Sequence, residues 1–94
     1  MNKSIPVRIP LTSAQLRAAR ALIRWSAEDL ALSSAVGLTT IRRAELVESA
    51  TSLTAANDLA IRRALEAAGV EFIDANGGGP GVRLRGPETE KKRR

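Results

Sequence analysis

The chain has 94 residues, is 44% apolar and has only two aromatics, Trp25 and Phe72, so it can hold one small domain packed through Leu, Ile, Val and Ala. Neither Cys nor His occurs, which excludes disulfides, thiolate or imidazole chemistry and the usual zinc ligand sets, and no cofactor is implied. The formal charge of +5 points toward polyanions, but residues 1–84 carry 10 Lys and Arg against 8 Asp and Glu, whereas residues 85–94 carry 5 against 2.

Residues 1–11 read as an arm. Ile5-Pro6-Val7-Arg8-Ile9-Pro10 alternates apolar with other residues, and its two prolines limit it to an edge strand. The start has no apolar signal-peptide core and no later run approaches the roughly 18 apolar residues of a membrane span, so a cytoplasmic location is expected.

The folded domain is expected over residues 12–85. Thr12 with Gln15 three residues on predicts a capping box, and Leu16, Ala19, Leu22 and Ile23 recur at helical spacing, giving a first helix over Ser13–Arg24. Ser26 predicts the N-cap of a second, over Ala27–Ala35, with Glu28 and Asp29 suited to the positive end of its dipole. Gly37 breaks the chain again and opens a third, over Leu38–Leu46. Two helices so short, joined so tightly, must cross steeply.

Val47–Leu53 shows no period and reads as a loop. Thr54 caps a clear helix, with Ile61, Ala64, Leu65 and Ala68 on one face, Arg62, Arg63 and Glu66 on the other, and Gly69 as its stop. Residues 70–73 and 82–85 then predict a hairpin around the turn-rich stretch 74–81, and residues 86–94 a disordered basic tail.

Several features carry only ordinary structural expectations. Arg62 and Arg63 read as a solvated face pairing with Glu66, and the KKRR ending as a solvated tail. A strand rather than a helix follows Gly77-Gly78-Gly79, so these glycines form a loop and not a phosphate cradle. Trp25 sits at a helix corner and belongs with the core. Ser33, Ser34 and Ser49 have no base to activate them, and no enzymatic site assembles.

The strings RAARALIRWSAEDLA and VGLTTIRRAE, between Arg17 and Glu45, resemble the Cro-like, xenobiotic-response-element-type helix-turn-helix family. The stretch IRRALEAAGVEFIDANGGGPGVRLR resembles the ending of small bacterial members, and together the likeness spans about 70 of the 94 residues. The resemblance implies a mainly α, Cro/repressor-like bundle of four to five helices with a C-terminal β-hairpin. It implies that Leu30, Ala31, Val36 and Ile41 are buried between the second and third helices, that Arg20 and Glu45 form a structural ion pair, and that Ser26 and Ala27 lie where the family contacts phosphate. Gly37, Leu38, Thr39, Thr40, Arg42 and Arg43 match the first two turns of its recognition helix. A helix of this kind fits the major groove, where an arginine takes guanine O6 and N7 and a threonine methyl packs on thymine.

The resemblance therefore implies a DNA-binding transcriptional regulator, a repressor or autoregulator acting as a homodimer on double-stranded DNA. The chain departs from the pattern at Ala27, where the family has glutamine, and at Leu38, where polar base contacts are common. It departs again at Leu46-Val47-Glu48, where the family has phosphate-clamping residues, and at Ala35, which stands for a turn glycine. An alanine there fits if its backbone avoids positive φ or if Gly37 absorbs the turn. The alternative is a protein-binding antiactivator or antitoxin-like module on the same scaffold, docking through Leu38, Leu46 and Val47.

Overall fold

The structure is a computed structural model that describes residues 9–48 and 50–86. The expected arm is described only at Ile9, Pro10 and Leu11 and the expected tail only at Gly86; the rest of both lies outside the described residues. Four helices follow in order, α1 (Ser13–Ile23), α2 (Ala27–Ser34), α3 (Leu38–Ala44) and α4 (Ala55–Ala67), and then the strands β1 (Val70–Ile73) and β2 (Gly81–Leu84), paired antiparallel.

The local chemistry of the termini explains most boundaries. The Thr12 hydroxyl accepts from Gln15 N and the Gln15 side chain accepts from Thr12 N, a complete capping box. Ser26 and Asp29 build the same arrangement on α2, and Thr54 caps α4 through Asn57 N. Helix α1 stops one residue earlier than the spacing suggests. Arg24 adopts the left-handed region (φ 58°), so that Arg24 N reaches Ala21 O and Trp25 N reaches Arg20 O, the paired bonds of a Schellman closure. Beyond α4, Gly69 takes φ 108°, a conformation strained for any side chain, and turns the chain into β1.

The core is aliphatic. Leu11, Leu16, Ala19, Leu30, Ile41, Ile61, Leu65 and Val70 are wholly buried, and Trp25, Phe72 and Val82 pack against them. Helix α2 packs on α3 and α4, whereas α1 packs on the hairpin. Gln15 ties these parts together: its amide nitrogen donates to Ile73 O (3.3 Å) and Gly81 O (3.0 Å) at the mouth of the hairpin. The second strand, expected at 82–85, is found one residue earlier, with Val70 opposite Leu84 and Ile73 opposite Gly81. On the outer face Arg83 pairs with Glu71 and holds its carboxyl below the ordinary range, chiefly by direct hydrogen bonding. A carboxyl so lowered stabilises the fold at neutral pH and loses that contribution as the pH falls through the carboxylate range.

One expectation for α4 is overturned. Arg62 is buried rather than solvated and pairs with Asp58, one turn earlier, rather than with Glu66. Its Nε donates to Asp58 Oδ1 (2.6 Å), its second terminal nitrogen donates to Ile9 O, and its guanidinium carbon lies 5.7 Å from the centre of the Phe72 ring. Asp58 Oδ2 meanwhile accepts from Leu11 N (3.0 Å). The reason is topological: the chain entering α1 crosses α4 at this level, and its backbone groups need partners that only side chains of α4 can supply. Arg63, by contrast, is exposed as expected.

Candidate functional site

Helices α2 and α3 are joined by Ala35, Val36 and Gly37 alone. Val36 is buried, 5% exposed, and holds the turn against the core with Leu30 and Ile41, whereas Ala31 is half-buried. The turn closes through Ala35 itself, at φ 61° and ψ 27°, and Ala35 N still reaches Ala31 O at 2.9 Å. The expectation that an alanine here requires φ to stay negative, or Gly37 to absorb the turn, is therefore corrected. Gly37 has an ordinary extended backbone (φ −60°), and a Cβ there would meet only Thr40 Oγ1 at 3.9 Å. The left-handed Ala35 costs roughly 1–2 kcal/mol. It persists because Val36 on one side and the capped α2 on the other fix the path of the chain.

The two helices present a graded surface. Ser26 is exposed at the start of α2, but Ala27 is half-buried and packed against the core. On α3, Thr39, Arg42 and Arg43 are exposed, Leu38 and Thr40 are half-buried, and Ile41 and Ala44 face inward. Arg43 borders a small cleft of about 90 Å³ with Thr40, Ala44, Ser52 and Leu53. Arg42 instead reaches back to the first turn of α2, where its terminal nitrogen donates to Glu28 Oε2 at 2.8 Å.

Helix α3 is only seven residues long, too short to be stable by itself, so its C-terminal end depends on outside partners. Three side chains of α1 supply them. The Ser13 hydroxyl donates to Ala44 O, Arg17 donates to Glu45 O at 2.7 Å, and Arg20 grips the Glu45 carboxylate with two bonds, at 2.7 and 2.8 Å. Arg20 also donates to Trp25 O (2.8 Å). Hydrogen bonding to Glu45 raises the Arg20 pKa above its already high ordinary value, against an opposing effect of burial. The expected pair thus forms, but the third helix ends at Ala44 rather than at Leu46. Glu45, held by Arg17 and Arg20, is the C-cap, and Leu46 is left 81% exposed in the turn beyond.

Ser13, Arg17 and Glu28 act at this site although none is among the residues expected there. Ser13, Arg17 and Arg20 stand at i, i+4 and i+7, one stripe of hydrogen-bond donors along α1 beside the apolar stripe of Leu16 and Ala19, and that spacing was the available signal. A groove of about 390 Å³ opens beside this stripe, where Ala14, Arg17, Leu46, Val47, Glu48 and Pro80 line it. Compared with known protein families and with curated proteins, the sequence matches none.

Proposed function

We propose that this protein is a Cro-like helix-turn-helix regulator, a repressor or autoregulator that binds double-stranded DNA in the major groove through α3, by binding and without catalysis. The observation that carries the reading is the mounting of α3: a seven-residue helix with Thr39, Arg42 and Arg43 exposed, held at its start by a three-residue turn and at its end by Ser13, Arg17 and Arg20. A rigid mount of this kind spares the entropy of ordering a reading helix on contact. In this reading Ser26 and the start of α2 approach phosphate, Thr39 packs on thymine, and Arg43, one turn along from Thr39 and Thr40, enters the groove.

One short helix reads few base pairs, so the reading includes a homodimer on an inverted repeat. The hairpin is the proposed contact, since among the described residues its two-stranded sheet has no strand partner at either outer edge. A monomeric mass at about tens of micromolar protein removes the dimer from the proposal.

Replacing Arg43 with Ala tests the whole. The exposed side chain can be removed with the fold intact, and the loss is about 1–3 kcal/mol on a cognate site with relaxed preference at one base pair per half-site, or a uniform weakening if it touches phosphate alone. A folded Arg43→Ala protein that binds every duplex as tightly as the parent rejects α3 as the reading helix.

A second reading is favoured by the exposed Leu46 at the rim of the groove with Val47: a module that docks a protein rather than DNA. Half-buried Leu38 contributes less to such a patch than expected. In that case the parent shows no affinity for random duplex even at low salt, and Leu46→Ala, not Arg43→Ala, releases a copurifying partner.

A further inference from the structure

The adjacent arginines of α3 look equivalent in the sequence, and the fold makes them unequal. Arg42 is bonded to Glu28 across the α2–α3 turn at 2.8 Å, with the two side chains 58% and 57% exposed. Arg43 is exposed and has no side-chain partner among the described residues. Asp29, next to Glu28, is held by Ser26 N in the cap of α2. Across residues 27–44 the charged groups are Glu28, Asp29, Arg42 and Arg43, so the surface proposed to meet DNA has no net charge.

We infer that Glu28 is the affinity-limiting residue of this surface, and that Arg42 serves to neutralise it rather than to contact a base. The inference rests on the DNA-binding reading and deepens it. A carboxylate on the first turn of α2 lies where that reading brings phosphate, and left unpaired it repels the backbone. Paired with Arg42 it is silent, but the pairing withdraws a cation that would otherwise release a counterion on binding. Attraction to phosphate then falls to Arg43 and to groups outside α2 and α3. The arrangement suits a protein that relies on its base contacts and binds bulk DNA weakly, because sequence-independent affinity scales with the number of phosphates neutralised.

The test compares the parent with Glu28→Gln, Arg42→Gln and the double variant, each titrated with a random-sequence duplex from about 50 to 200 mM salt. The pair is exposed, so all three variants keep the parent's circular dichroism and melt close to it. Glu28→Gln binds about three- to tenfold tighter at the low-salt end and steepens the salt slope by about one unit, since Arg42 is freed for phosphate. Arg42→Gln binds more weakly than the parent, and the double variant returns to within about twofold of it, since an attractive and a repulsive charge have left together. A Glu28→Gln protein no tighter than the parent overturns the inference, as does a double variant as weak as Arg42→Gln, which marks a direct contact by Arg42. If the parent binds in an Arg43-dependent way while Glu28→Gln brings no gain, the inference alone fails. If the parent and Glu28→Gln both ignore duplex at the lowest salt, the DNA-binding reading fails and the inference with it.

Discussion

Asp58→Ala is expected to destabilise the fold by about 3–5 kcal/mol, the cost of leaving a buried guanidinium without its anion. The carboxylate has two separate tasks, accepting Arg62 Nε at 2.6 Å and Leu11 N at 3.0 Å, and both donors are buried. Removing it strands Arg62, 4% exposed, and an amide of the segment that leads into α1. Since a small domain holds only about 5–15 kcal/mol in total, the variant should unfold at far lower denaturant or temperature, or fail to accumulate. Changing both partners separates the ion pair from the space it fills. Asp58→Leu combined with Arg62→Met removes the buried charges together and should recover part of the loss, though Leu11 N and Ile9 O remain unpartnered. Urea unfolding of the three proteins measures this; an Asp58→Ala midpoint equal to the parent's would show that the crossing of the arm over α4 does not depend on this carboxylate.

The second large effect is expected at Arg20. Arg20→Ala deprives Glu45, whose side chain is 10% exposed, of both hydrogen bonds and leaves Trp25 O without its donor, at a cost of about 2–4 kcal/mol. The loss should be local as well as global. Helix α3 would lose one of three anchors at its C-terminus, so amide exchange at Glu45 and Leu46, whose N–H groups close the last turn on Ile41 O and Arg43 O, should accelerate more than exchange in α4. Arg20→Met with Glu45→Leu should keep most of the stability. Uniform acceleration across all four helices would mean that the pair supports the core in general and not the seating of α3.

The sequence carried its own termini unusually well. Thr12-Gln15, Ser26, Thr54 and Gly69 are short-range signals whose partners lie within a few residues, and each acts where the spacing places it, Ser26 with Asp29 as a partner that the spacing had assigned only to the helix dipole. The apolar periodicity of Leu16, Ala19, Leu30, Ile41, Ile61 and Leu65 likewise identified the buried faces, because a residue's place on a helix face follows from counting. The exposure of Thr39, Arg42 and Arg43 on α3 follows from the same counting, since Ile41 and Ala44 face inward, whereas a contact role for that face came from the family resemblance and not from the spacing.

The sequence by itself therefore determined four helices, a hairpin and the aliphatic part of each helix's inward face, all consequences of local periodicity and capping. The tertiary structure alone decided how charged and strained residues are used, since their partners are distant in the chain. Arg62 is buried because the chain at Ile9 crosses α4, 53 positions away. Ala35 accepts a left-handed backbone because Val36 is locked in the core. Arg42 and Arg43 part company because Glu28, 14 positions earlier, faces only one of them across the turn. Charge pairs at such separations depend on how the helices dock, and docking is set by summed packing over the whole core rather than by any short string of residues.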